Sequence, residues 1–154
     1  MPGSLESIQA LMKELGPQVN NVDAVVQNGE STWAVQFDDG AVVFLEWDEQ
    51  PPRLVLSAEL GKVAEVRQLE VLRLLLSYNL LWRDTGGVKT ALGGPEGAAM
   101  LLYECSADSL TLAVLQTVLE NFCNSAQIWQ RYIEQGPAEA GPPVFSLQDF
   151  GNRA

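Results

Sequence analysis

The sequence predicts an α+β protein of order α-β-β-β-α-β-β-α, with an antiparallel sheet packed against helices. Three observations carry that reading. Apolar residues at helical spacing open and close the patterned part of the chain. Between them, residues 22–60 alternate with period two and are punctuated by turn residues. The middle segment 64–82 is apolar nearly all round, which a one-faced surface helix does not need. Either two layers of the chain cover that segment or a second subunit does.

The first helix is expected over 4–15: Ser4 caps it, Leu5, Ile8, Leu11, Met12 and Leu15 follow at steps of three and four, and Gly16-Pro17 stops it. Three or four strands follow. Val22 to Gln27 is a short apolar run ended by the turn signal Asn28-Gly29. Trp33, Val35 and Phe37 alternate up to Asp38-Asp39-Gly40, where Asp and Gly favour a tight turn. Val43, Leu45 and Trp47 continue the pattern until Pro51-Pro52, and Leu54, Leu56, Ala58 and Leu60 form the next strand. The spacing predicts an antiparallel meander.

The second helix is expected from about Ala64 to Trp82, then a loop at Asp84-Thr85-Gly86-Gly87. Val88–Leu92 and Ala98–Glu104 are expected strands joined by Gly93-Gly94-Pro95-Glu96-Gly97. The last helix, 108–134 and capped by Ser106 or Asp108, carries Leu112, Leu115, Leu119, Phe122, Ala126, Trp129 and Ile133 as one stripe. A folded region 1–135 and a flexible Gly/Pro-rich tail 136–154, dispensable for folding, follow from the change of composition at Gly136.

Composition excludes several functions. The 154 residues hold 9 Lys and Arg against 20 Asp and Glu, a net charge of −11. Such a surface repels nucleic acid and anionic membranes and suits a basic partner. With no histidine in the chain, triads, Cys–His pairs and His-bound metals are all closed. Catalytic residues, metal ligands and cofactors are therefore expected to be none. The apolar run Leu69–Trp82 is too short and too polar to span a bilayer, and with Met1–Leu5 leading straight into an amphipathic pattern, secretion by a cleaved signal is not expected. Cys105 and Cys123 make no disulfide framework and fit a reducing cytosol.

Each local motif has a plain structural reading. Asp38-Asp39-Gly40 lacks the other ligands of a metal site and reads as a turn. Gly93–Gly97 lacks the Lys-Ser/Thr and the helix of a phosphate loop and reads as a hairpin connection. The anomaly is apolar excess: Val42, Phe44 and Val55 lie on the strand face opposite Val43, Leu45, Leu54 and Leu56, where a one-layer α+β sheet should be polar. Either another part of the chain covers that face or it is held ready for another chain.

The order of elements is similar to that of the class I type III secretion chaperones, the Tir-chaperone-like family. The residues that carry the resemblance are Leu74-Leu75-Leu76-Ser77-Tyr78-Asn79-Leu80-Leu81-Trp82, Gly86-Gly87, Val88-Lys89-Thr90-Ala91-Leu92 and the stripe Leu115, Leu119, Phe122, Ala126, Trp129. Leu56–Gly61 also resembles the family's third strand and its exit, and the similarity covers about residues 4–134. It implies a homodimer in the bacterial cytoplasm that binds the extended N-terminal region of a secreted effector, without ATP or covalent chemistry. Effector side chains would enter shallow apolar patches and one effector strand would add to a sheet edge. Leu5, Ile8, Leu11, Met12, Val42, Phe44 and Val55 are the expected client contacts. Leu72, Leu75, Leu76, Leu80, Val88, Thr90 and Leu92 are the expected dimer interface. Two other classes stay open: a stand-alone regulatory or scaffold domain of similar fold, and a small-ligand protein or enzyme, which would need convergent polar groups in one deep pocket.

Overall fold

Ser4 starts the first helix as expected. In the computed structural model, which describes residues 3–136, the Ser7 N–H donates to Ser4 Oγ at 3.2 Å and the Ser4 N–H donates to Ser7 Oγ at 3.1 Å. This reciprocal box satisfies two of the donors a helix start leaves open. The helix Leu5–Gln18 (α1) runs through Gly16-Pro17 instead of stopping there. Pro17 sits in the last turn, where its missing N–H removes a single bond, and the Val19 N–H closes the end on the Leu15 carbonyl at 3.1 Å.

Four strands follow, which settles the three or four of the sequence reading at four: Val22–Gly29 (β1), Thr32–Phe37 (β2), Val42–Glu49 (β3) and Pro52–Gly61 (β4). Asn28-Gly29 closes β1 and is not the turn itself. Gly29 pairs with Thr32, so Glu30-Ser31 make the connection. A short 3-10 turn, Glu65–Arg67, precedes the helix Gln68–Asn79 (α2), which is shorter than expected because residues 80–87 fold as successive turns. Lys89–Leu92 (β5) and Ala99–Ser106 (β6) form a hairpin that Gly93 N–H and the Ala98 carbonyl close at 2.9 Å. The last helix is Leu112–Gln135 (α3). Its cap is Thr111, whose Oγ1 accepts from the Val114 N–H at 3.2 Å, in place of Ser106 or Asp108.

The strands form one six-stranded sheet of order β1-β2-β3-β4-β6-β5, so the chain is α+β with the order α-β-β-β-β-α-β-β-α. The pairings β1–β2, β2–β3, β3–β4 and β5–β6 are antiparallel. The described residues fall into two compact units, 3–58 with 104–123 and 59–103 with 124–136.

In the first unit α1 packs on β1 and β3, and buries Ile8, Met12 and Leu15. Trp33, Val35, Val43, Leu45, Leu54 and Leu56 are the buried, alternate residues of the strands. In the second unit α2 packs on β5. Trp129 is fully buried, with the Tyr78 ring edge-on at 5.1 Å and the Tyr132 ring at 6.1 Å. Arg67 holds the end of α3 there: its Nη1 donates to the Tyr132 and Ile133 carbonyls at 2.9 and 3.1 Å, and its guanidinium lies over the Tyr132 ring. The Tyr132 carbonyl also accepts from the Gly136 N–H at 2.9 Å, and both carbonyls lie in the last turn of the helix, where a cation beside them adds hydrogen bonds and meets the helix dipole. Gly136, at φ +81°, then turns the chain out of the helix. The expected tail beyond Gly136 lies outside the described residues.

Candidate functional site

Three surfaces stand out, two in the first unit and one in the second. The first is the outer face of the sheet. Register places Val26, Ala34, Phe44 and Ser57 side by side across β1 to β4. Val42 stands opposite Gln36 in the next row, and Val55 opposite Glu46. Phe44 is 45% exposed and Val42 36%, while Val43 and Leu45, the alternate residues of the same strand, are 1% exposed. Val55 is half-buried. Ala34 is itself buried, being small and flanked by Val26 and Phe44. An apolar ledge on the solvent side of a sheet with a filled opposite face is the anomaly the alternation pointed to.

The second surface is a groove of about 300 Å³ between α1 and β1. Met12, Gly16, Pro17, Val25 and Trp33 give it an apolar floor, and Gln9, Lys13, Asp23 and Gln27 give it polar sides. Of the four residues of α1 expected to meet a client, Ile8 is 1% exposed and belongs to the core. Met12 is also buried, yet it lines this groove. Leu5 and Leu11 are half-buried. Helical spacing places an apolar stripe on one face, and that face is the one the sheet consumes. The groove itself was not foreseen. Val25, apolar on an edge strand, and the small Gly16 were the signals available for it.

The third surface is on α2. Leu69, Leu76 and Leu80 are well exposed, Leu76 at 73% and Leu80 at 81%, and Val66 ahead of them is almost fully so. Leu69 and Leu76, seven apart, share one side of α2, and Leu80, its C-cap in helical conformation, continues that side four residues on, while Val66 lies in the 3-10 turn ahead of it. Leu81, Trp82 and Leu92 are also exposed. Of the expected dimer residues, Leu76, Leu80 and Leu92 are thus outside and Leu72 is half-buried. Leu75, Val88 and Thr90 are corrected to interior positions. Leu75 lies on the side of α2 that also buries Val71 and Tyr78. Thr90 Oγ1 donates to the Leu75 carbonyl at 2.7 Å, and its backbone is bonded to the Asn79 side chain.

The two thiols are poor nucleophiles in this setting. Burial pushes the Cys105 pKa up. Burial first, and the nearby Asp39 second, push Cys123 up to about 12. At pH 8 that leaves on the order of a thousandfold less Cys123 thiolate than an ordinary cysteine has. A chromogenic disulfide reagent is expected to label Cys123 slowly in the native protein and rapidly in denaturant. The unfolded thiol loses its proton first, so stability falls as pH rises from about 9 towards the folded value of about 12. Fast labelling of native Cys123 at pH 8 would contradict this burial.

Among the described residues no group of His, Cys, Asp and Glu is placed to hold a metal ion. No described helix is long and apolar enough to cross a membrane.

Comparison with solved structures gives the fold directly. A chain of the ExsC–ExsE complex superposes with a TM-score of 0.69 at 22% identity, covering 84% of this chain and 95% of that one. A chain of the HopA1–SchA chaperone–effector complex gives 0.65 at 17% identity, covering 85% and 98%. A chain of the ExoU–SpcU complex of the Pseudomonas aeruginosa type III secretion system gives 0.57 at 20% identity, covering 71% and 88%. No curated protein sequence matches significantly. The sequence profile of the Tir chaperone protein (CesT) family matches residues 10–130, most of the chain, and that region contains all six strands, α2, most of α1 and most of α3. The chain belongs to the Tir chaperone protein (CesT) family.

Proposed function

We propose that this protein is a stoichiometric, ATP-independent chaperone of the bacterial cytoplasm. It binds the extended N-terminal region of a type III secreted effector and keeps that segment soluble and unfolded for export. The observation that carries the reading is the outer sheet face, where Phe44 and Val42 are exposed beside Val26 and Ala34. An apolar face of this kind would mask the aggregation-prone side chains of an unfolded client. The family supports it, and so does the likeness in fold to chains from chaperone–effector complexes. The α1–β1 groove, with its apolar floor and polar sides, suits further side chains of the same client. The net charge of −11 would steer a basic segment towards the surface. The exposed stripe of α2 would pair two copies, and it shares no residue with the sheet face or the groove proposed for the client.

Capture of the tagged protein from its source cell tests the proposal. One secreted protein is expected to co-purify in fixed proportion to the chaperone, with its N-terminal region protected from protease. Phe44→Asp is the control surface, and the same protein should be depleted from its capture. Equal recovery on both baits, or no enriched protein at all, would sink the reading.

A further inference from the structure

A sheet of this order has two edges, β1 and β5, and an edge strand offers its free backbone groups to any extended chain. The β5 edge is not free. Both backbone groups of Thr90 are taken by one side chain: the Thr90 N–H donates to Asn79 Oδ1 at 2.7 Å, and Asn79 Nδ2 donates to the Thr90 carbonyl at 3.0 Å. A primary amide carries a donor and an acceptor side by side, as a neighbouring strand would present them. Successive residues of an antiparallel strand point their backbone groups to opposite sides, so Val88, Thr90 and Leu92 share the side away from β6. Val88, just ahead of β5, is occupied as well. Its carbonyl accepts from Thr85 Oγ1 at 3.3 Å, and its N–H reaches the Thr85 carbonyl at 3.5 Å. Thr85 and Thr90 are both buried, and Thr90 Oγ1 is tied to the Leu75 carbonyl, so the plug is part of the packed interior and not a surface contact.

We infer that Asn79 and Thr85 seal the β5 edge against strand addition, which directs any extended chain that pairs with this sheet to β1 and keeps two copies from zipping together through β5. The seal holds whether or not the protein has a client, because it acts on self-association as much as on a partner. Asn79 is then a specificity-determining residue and not only the last residue of α2. Its amide costs nothing to the ladder with β6, since it uses only the groups that ladder leaves over.

The test is mass against concentration by light scattering on the full chain, with amide exchange at Thr90 as the local readout. Asn79→Ala removes both edge bonds. It is expected to speed Thr90 exchange and to raise the mean mass, relative to the unsubstituted protein, by roughly twofold as concentration rises. Thr85→Val, which keeps the buried volume and removes the hydroxyl, is expected to shift the mass in the same direction. Adding Leu92→Pro to Asn79→Ala should restore the original mass, because the Leu92 N–H points to the open side and proline there blocks pairing without touching β6. Three results overturn the inference: a folded Asn79→Ala with fast Thr90 exchange and unchanged mass; an increase in mass that Leu92→Pro leaves in place; or, should Asn79→Ala not fold, a Thr85→Val that keeps the original mass.

Discussion

At micromolar concentration the protein is expected to scatter light as a particle of about twice its 16.8 kDa chain mass, and Leu76→Asp combined with Leu80→Asp is expected to return the single-chain mass. Leu76 and Leu80 are the most exposed leucines of the chain's described residues, and they continue the side of α2 that Leu69 begins. Full burial of a leucine side chain is worth about 1.5–3 kcal/mol. A two-fold interface uses each residue twice. Removing four such side chains and burying four carboxylates in their place therefore costs about 6 kcal/mol or more, a change of at least ~10⁴ in the dissociation constant. The fold should survive, because both positions point away from Val71, Leu75 and Tyr78, the residues α2 buries in its own unit. Circular dichroism should change little, since one exposed substitution within α2 and one at its C-cap cost about 1 kcal/mol together. A monomer before substitution, or an unchanged dimer after it, would move the interface away from α2.

The contrast between α2 and β3 explains what the sequence makes legible. In β3 the side-chain period is two, so Val43, Leu45 and Trp47 fix one face and the opposite face follows without further information. The exposed pair Val42 and Phe44 could be read from alternation alone. In α2 nearly every position is apolar, so periodicity does not say which side the protein uses. Leu75 and Leu76 are neighbours in sequence, yet one is buried and the other exposed. What separates them is the position of Tyr78, which packs on Trp129 from a segment fifty residues away.

Long-range partners also account for the misplaced Thr90. A threonine on a short edge strand looks like surface, and the groups that bury it, the Leu75 carbonyl and the Asn79 amide, come from the preceding helix. Ile8 failed as a contact residue for a related reason. An amphipathic stripe marks a face that will be covered, and only the structure says whether the chain itself or a partner covers it. The α1–β1 groove, finally, exists because α1 lies beside an edge strand, a placement no local pattern encodes.

Two neighbouring residues in β3 offer the sharpest separation of folding from binding. Leu45→Asp is expected to unfold the protein. Leu45 is 1% exposed and stands between Trp33 of β2 and Leu56 of β4, so the new carboxylate would lie in a core whose described buried residues include no Lys or Arg. A charge left unpaired in such a place costs several kcal/mol, about 4 or more, which is a large part of the stability of a domain. Phe44→Asp should behave differently. Phe44 lies one residue away on the opposite face, between Ala34 and Ser57, and is nearly half exposed. Aspartate there meets water, and the loss of strand propensity is worth about 1 kcal/mol, a few degrees of melting temperature. If this ring anchors a client, its removal weakens capture by about 2 kcal/mol, roughly thirtyfold. Thermal melts of both variants, with client pull-down on the one that folds, decide the matter. Should Phe44→Asp melt as Leu45→Asp does, then both faces of the sheet are buried in the functional protein. The client would have to be sought in the groove of Met12, Pro17 and Val25, where Lys13 offers a charge to test next.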